Sequence, residues 1–132
     1  MVITGEWIRR DDGITRPIVE AKVAGVNGTL LHEQFLVDTG ADRTVLSARL
    51  LGRLQLVGMP APPGSSLQGI GGSSPHVVVS AVLELTRDDG GTIRVRGELA
   101  AFTDPTTTDL SILGRDVLDN FDVITSRRRN AV

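Results

Sequence analysis

Glycine and proline divide this chain into short runs rich in β-branched residues, and this pattern restricts the possible folds more than any other feature. The 132 residues include 15 glycines and 6 prolines, and no long segment repeats apolar residues at helical spacing. Turn signals at such intervals are typical of all-β sandwiches and barrels rather than of alternating strands and helices. Because a domain takes roughly 150 residues, we expect residues 1–132 to form a single domain.

Local signals predict two β-hairpins and little helix. The first hairpin spans residues 17–37 and turns at Asn27-Gly28, where both residues tolerate the positive φ of a type I′ turn. The second joins strands over residues 76–86 and 92–102, and its last strand alternates apolar and charged residues, so one face should be wet. Short helical turns are predicted from Ser47 to a stop at Gly52 and over residues 116–120.

The charge balance argues against nucleic-acid and membrane partners. Fourteen basic and sixteen acidic residues give a net charge of −2, which provides no field that would attract a polyanion or an anionic membrane. Arg127-Arg128-Arg129 has no aromatic residues interleaved, and we expect it to form a solvated tail. The N-terminus lacks the order of a secretory signal, and no run approaches the roughly 18 apolar residues of a spanning helix. We therefore expect a cytoplasmic protein.

The absence of cysteine limits the possible chemistry. A chain without cysteine has no disulfide framework, thiol nucleophile or thiolate metal site. His32 and His76 lie on predicted strands without partners at ligand spacing, so we predict no metal site. Carboxylate and hydroxyl groups are the main remaining candidates.

One carboxylate stands out by its position. Residues 35–37 form an apolar run that ends abruptly at Asp38-Thr39-Gly40. A buried strand that delivers a carboxyl group to a turn favours the protonated form and can place a general acid or base. The alternative is an ordinary Asx turn, because aspartate, threonine and glycine are all common turn residues.

Two later segments extend this pattern. Residues 67–74 are glycine-rich and lie between a predicted loop over residues 59–66 and a strand, and residues 110–118 form an apolar strand that turns into a short helix at Gly114. In this order the three segments resemble the retropepsin-like family of aspartic proteases. The family pattern is an apolar strand into Asp-Thr-Gly-Ala, a glycine-rich flap, and Ile-Leu-Gly-Arg-Asp before a C-terminal helix. The resemblance covers residues 35–121 and is most specific at its first and third segments.

The resemblance implies a closed-barrel-like all-β protomer with one short C-terminal helix, which assembles as a C2 homodimer. One chain carries a single Asp-Thr-Gly, and a two-fold interface would bring the Asp38 residues of two chains together. Two adjacent carboxyl groups share a proton, so one activates a water while the other donates to the scissile carbonyl. The expected function is that of an aspartic endopeptidase acting on peptides or proteins without cofactor or metal.

Further roles around Asp38 follow from the resemblance. Thr39 matches the residue whose hydroxyl bonds across the dyad to the other protomer's loop, and Gly40 matches a position where the backbone approaches substrate. Ala41 and Asp42 would line the cleft. Asp42 would also form a buried ion pair with Arg115, the alternative for Arg115 being a solvated charge at a helix start. Together with Gly114, which precedes it, this pair would support the loop beneath the site.

The glycine-rich segment matches the flap of the family. Gly69, Ile70, Gly71 and Gly72 would form a hairpin tip whose backbone N–H groups hold bound peptide. The alternative is a flexible linker. A phosphate-binding loop is disfavoured because its pattern needs Gly-Lys-Ser/Thr at the start of a helix, whereas Ser73 leads into a strand.

Two questions stay open at the level of sequence. Arg43 places a cation near the expected cleft, where it either favours acidic substrate side chains or faces solvent. The candidate pocket residues, chosen because they lie next to the motifs, are Arg43, Val45, Ile70 and Ile112. The alternative function is a catalytically silent peptide-binding or dimerisation module, since a fold does not guarantee an activity.

Overall fold

A computed structural model of the chain describes residues 1–25, 28–61, 67–69, 72–74, 76–104 and 110–132. These residues contain ten strands and two short helices. The strands are β1 (Glu6–Arg9), β2 (Thr15–Ala24), β3 (Leu30–Val37), β4 (Val45–Leu46), β5 (Met59–Pro60), β6 (Leu67–Gly69), β7 (Gly72–Ser74), β8 (His76–Thr86), β9 (Thr92–Phe102) and β10 (Ser111–Leu113). The helices are α1 (Ala48–Arg53) and α2 (Arg115–Leu118).

Six of the strands close into a ring. Strands β2, β3, β10, β4, β9 and β8 pair in that order, and β8 pairs back with β2. Strands β1 and β5 extend the ring at β2 and β8. Closure leaves the ring strands paired on both sides, which removes the exposed edges of an open sheet. The prediction of a closed, barrel-like all-β protomer is confirmed.

Both predicted hairpins are present. Strands β2 and β3 pair antiparallel from Ile18 opposite Leu36 to Ala24 opposite Leu30, and Asn27 lies outside the described residues. Strands β8 and β9 pair along their whole length, and Gly90 in their turn has a φ of +87°, which glycine adopts without steric cost. Up to residue 98 the side chains of β9 are exposed or half-buried, which confirms its wet face.

Apolar side chains that point into the ring form the main core. The apolar residues with 0 % exposure are Val23, Phe35, Leu46, Leu54, Leu83 and Ala101. Both helices contribute to this core, through Leu50 on α1 and Val117 on α2. Burial of each large apolar side chain stabilises the fold by about 1.5–3 kcal/mol. The packed core holds in place the ends of β3 and β10, which carry two of the three motifs.

Short elements differ from the sequence prediction by a few residues. Helix α1 continues through Gly52 to Arg53, because glycine in a helix costs only about 1 kcal/mol and Leu54 beyond it is completely buried. Helix α2 covers residues 115–118 instead of 116–120. Strand β5 pairs with β8 inside a predicted loop, an edge position that tolerates its proline.

The C-terminal arginine run is not the free tail that its composition suggests. A β-bridge joins Ser126 to Ala131, and the indole Nε1 of Trp7 donates to the carbonyl oxygen of Ala131 at 3.0 Å. The Arg127 guanidinium lies over the Trp7 ring, 5.3 Å from its centroid, in a cation–π contact. Arg127, Arg128 and Arg129 are exposed, as predicted for solvated charges, but the segment is not a free tail because its own β-bridge and its contacts with Trp7 hold it in place.

A buried carboxylate links β3 to β10 and α1. Glu33 is 3 % exposed and accepts hydrogen bonds from Arg49 and, at 2.8 Å, from the Ser111 hydroxyl. The same Ser111 oxygen accepts the backbone N–H of Ser47 at 2.8 Å. A buried charge is tolerated where partners satisfy it, so this network fixes the base of β10 against β3.

Replacing Ser111 by Ala is expected to lower the free energy of unfolding by about 1–3 kcal/mol. The substitution leaves the Ser47 N–H without its acceptor and one Glu33 oxygen without its donor. Urea denaturation measures the change. Ser80→Ala on the exposed face of β8 is the control, and equal stability of the two variants would show that the Ser111 network contributes nothing.

Candidate active site

Asp38 lies directly after β3, where β3 and β10 end side by side. The two strands are parallel, with Val37 opposite Leu113, and the Asp38 N–H donates to the carbonyl oxygen of Leu113 at 3.1 Å. Because parallel strands deliver their carboxyl ends to one edge, the loops that follow Val37 and Leu113 meet there. The first and third sequence motifs therefore form one structural unit.

The loop after β3 is a tight turn that orients the Asp38 carboxylate. The Ala41 N–H donates to the Asp38 carbonyl oxygen at 3.1 Å, and the Gly40 N–H donates to Asp38 Oδ1 at 3.0 Å. This is the geometry of an Asx turn, so the turn interpretation describes how the carboxylate is held and does not compete with a catalytic role. Within the described residues Asp38 Oδ2 makes no hydrogen bond. Asp38 is half-buried, and Thr39 and Gly40 are exposed.

The start of α2 supports this turn from the other side. The Arg115 N–H donates to the Ala41 carbonyl oxygen at 2.8 Å, and the Asp116 N–H donates to that of Asp42 at 3.3 Å. The Asp42 and Arg115 side chains form the expected ion pair, and this hydrogen bond raises the pKa of Arg115. The pair is not buried, however, since the side chains are 77 % and 52 % exposed. Both project outward from the loop, where solvent screens the pair and leaves it little stabilising effect.

A buried threonine, which the sequence analysis did not single out, connects the two loops. Thr44 is 0 % exposed, and its hydroxyl donates to Asp116 Oδ1 at 2.7 Å and accepts the Gly114 N–H at 3.0 Å. The Thr44 N–H also reaches both Asp116 oxygens, at 2.9 and 3.0 Å. The sequence signal for this role of Thr44 is weak, because it is a single hydroxyl residue before the apolar pair Val45-Leu46.

Gly114 is the point of closest approach between the loops. A Cβ atom at this position would lie 2.4 Å from both the carbonyl carbon and the carbonyl oxygen of Arg43. Its φ of −98° is open to any residue, so the requirement for glycine comes from space and not from backbone conformation. The predicted supporting position of Gly114 matches this contact.

Replacing Thr44 by Val is expected to lower the free energy of unfolding by about 1–3 kcal/mol, because the buried Gly114 N–H loses its acceptor. Valine keeps the shape of threonine, so little of the effect comes from packing. Thr44→Ser retains the hydroxyl and serves as the control in the same urea titrations. If the valine variant is as stable as the serine variant, these hydrogen bonds do not hold the loops together.

The glycine-rich segment forms a two-stranded sheet of its own. Strands β6 and β7 pair antiparallel, with Leu67 opposite Ser74 and Gly69 opposite Gly72. Ile70 and Gly71 lie outside the described residues. Antiparallel pairing of the strands on either side of these two positions is typical of a β-hairpin. The pair is separate from the barrel sheet.

The remaining pocket candidates are divided between surface and core. Val45 is 3 % exposed and packs with Ala100 and Phe102, so within the protomer it belongs to a small second cluster. Ile112 is half-buried opposite Val45. Arg43 is exposed.

Two features are absent from the described residues. No group of three His, Cys, Asp or Glu side chains among them is arranged to hold a metal ion. None of their helices has the length and apolar character needed to cross a bilayer.

Comparison with known proteins agrees with the fold and the motifs. The chain is similar to the EIAV protease complexed with the inhibitor HBY-793, with a TM-score of 0.57 and 23% identity over 83% of this chain and 93% of that one. It is also similar to a retropepsin-like aspartic protease from Rickettsia conorii, with a TM-score of 0.53 and 18% identity over 97% of this chain and 96% of that one. At these identities the likeness establishes the retropepsin fold.

A search of curated proteins finds no match. The family model described as "Aspartyl protease" matches residues 19–117, a range that contains Asp38-Thr39-Gly40, strands β6 and β7 and most of α2. This match covers well over half of the chain, and the chain therefore belongs to the aspartyl protease family.

Proposed function

We propose that this protein is an aspartic endopeptidase whose active site forms between two copies of the chain, each of which contributes Asp38. The observation that carries the proposal is the state of the Asp38 carboxylate. Backbone groups of Leu113, Gly40 and Ala41 hold the residue, while Oδ2 has no hydrogen bond within the described part of the chain. A fixed carboxyl group with one free oxygen is what general acid–base catalysis needs.

One protomer supplies half of the required chemistry. Peptide hydrolysis by this route needs one carboxylate to take a proton from water and one carboxylic acid to donate a proton to the carbonyl oxygen. The sequence contains Asp-Thr-Gly once, and a two-fold axis beside the loop would provide the second copy. Two carboxyl groups in contact cannot both ionise, so the pair holds one shared proton over a range of mildly acidic pH.

The proposed reaction proceeds without a covalent enzyme intermediate. The ionised Asp38 removes a proton from water as the water oxygen attacks the scissile carbonyl carbon, and the protonated Asp38 of the second chain donates to the carbonyl oxygen. The tetrahedral intermediate then collapses as the C–N bond breaks: the carboxyl group that now holds the proton protonates the leaving amine, and the ionised carboxylate removes a proton from a hydroxyl group of the intermediate. At the end of the cycle the dyad again holds one proton.

The neighbouring residues have supporting roles in this proposal. Thr39 is exposed beside Asp38, and its hydroxyl is available for a hydrogen bond across the two-fold axis. Gly40 lies at the open side of the turn, where the missing side chain lets substrate approach the backbone. The β6–β7 hairpin would close over an extended peptide and hold its main chain by backbone hydrogen bonds.

The concentration dependence of peptide cleavage tests this proposal. Wild-type protein should cleave members of a diverse peptide library at about pH 4 to 6, where the dyad keeps one proton. Activity per chain should rise with protein concentration through the range in which sedimentation detects the dimer. Absence of cleavage by a confirmed dimer across this range would contradict the proposal and favour the peptide-binding module.

A further inference from the structure

Arg43 extends the Asp38 loop into solvent without a partner. It follows Asp38 by five residues, it is exposed, and within the described part of the chain its guanidinium has no ion pair or hydrogen bond. Two carboxylates of the same loops bind other groups: Asp42, the preceding residue, pairs with Arg115, and Asp116 accepts three hydrogen bonds from Thr44.

The backbone that carries Arg43 is held on both sides. Its carbonyl group packs against Gly114 so closely that a Cβ atom would not fit between them. The next residue, Thr44, is completely buried and bonded to Asp116. The backbone at Arg43 is therefore fixed, and the side chain moves mainly by rotation about its own χ angles. A fixed origin reduces the entropy lost when the side chain binds a ligand.

Seven of the thirteen arginines have a side-chain partner within the described residues. Ion pairs with carboxylates hold the arginines at positions 16, 49, 87, 94 and 115. Arg9, Arg53, Arg96, Arg128 and Arg129 are also exposed without an ion pair in the described residues. Arg96 lies on the wet face of β9, far along the chain from the Asp38 loop. Arg43 differs from Arg96 because it shares a short, rigid segment with the proposed catalytic residue.

We propose that Arg43 determines substrate preference by binding an acidic side chain of the peptide near the scissile bond. This inference rests on the proposed function of the Asp38 site. Five residues span at most about 17 Å when extended, and the turn at Asp38 shortens that distance. A bound strand rises about 3.3 Å per residue, so a side chain about two to four positions from the cleaved bond lies within reach of the guanidinium.

The chemistry of arginine makes the preference selective for carboxylates. The planar guanidinium offers two parallel N–H donors to a carboxylate. Neither a glutamine nor a lysine side chain provides this pair of charged donors. Because a two-fold dimer carries one Arg43 on each side of the scissile bond, acidic residues are favoured at related positions in both halves of the substrate. The attraction should weaken with added salt, as expected of a partly exposed pair.

The test uses decapeptides that are identical except for Glu, Gln or Lys at one position. A random decapeptide library first identifies sequences that the wild type cleaves, or retains by affinity if none is cleaved, and each position is then varied. Two readouts are recorded: kcat/KM for cleavage by proteins with Asp38 intact, and binding of the same peptides to Asp38→Asn proteins. The variants are Arg43→Gln and Arg43→Glu, and Arg96→Gln is the matched control.

We expect the wild type to prefer Glu over Gln by about five- to tenfold at one or more positions. Arg43→Gln should remove this ratio, Arg43→Glu should invert it in favour of Lys, and Arg96→Gln should leave it unchanged. The inference is overturned if the preference is absent in the wild type or survives both Arg43 substitutions.

The second readout separates this inference from the proposed function. If no peptide is cleaved but binding shows the Glu preference and loses it in Arg43→Gln, the protease proposal fails and Arg43 remains the specificity residue of a binding module. If peptides are cleaved with no role for Arg43, the protease proposal stands and the specificity inference fails. If no peptide is cleaved or bound, both are wrong.

Discussion

Replacement of Asp38 by Asn is expected to lower kcat/KM for peptide cleavage by at least about a thousandfold, since acid–base catalysis contributes about 10²–10⁴-fold and both halves of the dyad are changed at once. Asparagine neither accepts a proton from water nor donates one to the carbonyl oxygen. Its side-chain oxygen can still accept the Gly40 N–H, so the turn should persist. Initial rates with a fluorogenic peptide at about pH 5, where the dyad holds one proton, measure the effect.

The control for this substitution is Asp11→Asn, which changes an exposed aspartate in the turn between β1 and β2. It should have wild-type activity, and thermal melting should show both variants to be folded. An Asp38→Asn protein that retains more than about a tenth of wild-type activity would exclude acid–base catalysis by this carboxyl group. If the wild type and the Asp38→Asn protein bind peptide equally and neither cleaves it, the chain is the silent binding module instead.

Replacement of Gly114 by Ala is expected to lower the free energy of unfolding by about 3 kcal/mol or more. The new methyl group would lie 2.4 Å from the Arg43 carbonyl carbon and oxygen. Both atoms belong to the backbone, so rotation of a side chain cannot relieve the overlap. Relief of the overlap requires the loops after β3 and β10 to separate, which strains the hydrogen bonds of Thr44. For a chain of this length the melting temperature should fall by about 10 °C or more.

Gly52→Ala is the matched control because it adds the same methyl group to helix α1, where nothing lies within 4 Å. Alanine is the better helix former, and this variant should gain up to about 1 kcal/mol. Differential scanning calorimetry of the two variants measures both changes. If Gly114→Ala is as stable as the wild type, the two loops are not in the close contact on which the geometry of the site depends.

The parts of the fold that could be predicted from sequence are those with local causes. Each hairpin follows from turn residues between runs of suitable length, and the strand boundaries of residues 76–86 and 92–102 agree with β8 and β9. The end of β3 at Asp38 follows from an apolar run that stops at polar turn residues. These signals lie within about ten residues of the structure they determine, and no long-range contact overrides them.

The parts that could not be predicted depend on residues far apart in the chain. Asp116 has the sequence character of a helix-start residue, and nothing near it indicates that its carboxylate binds Thr44, 72 positions earlier. In the same way Glu33 looks like an ordinary charged residue of a half-exposed strand, yet Ser111 and Arg49 make its burial possible. The partners of Asp116 and Glu33 can be identified only from the folded structure, in which the topology brings β3, β10 and α1 together.

The Asp42–Arg115 pair shows the limit of inference by resemblance. The two motifs predict correctly that the side chains meet. Burial is a different property, because it depends on what lies above the loop, and within one protomer both side chains are largely exposed. The identity of a contact can be inferred from paired motifs, whereas its environment requires the folded structure.

The shared dyad is tested most directly by mixing wild-type and Asp38→Asn chains. Wild-type concentration is held constant in the dimeric range while the inactive chain is added and allowed to exchange. If each site needs two Asp38 residues, mixed dimers are inactive, and activity should fall to about half at an equal ratio and to about a tenth at a tenfold excess. Activity that stays constant as the inactive chain is added would show that one chain hydrolyses peptides alone, which contradicts the account.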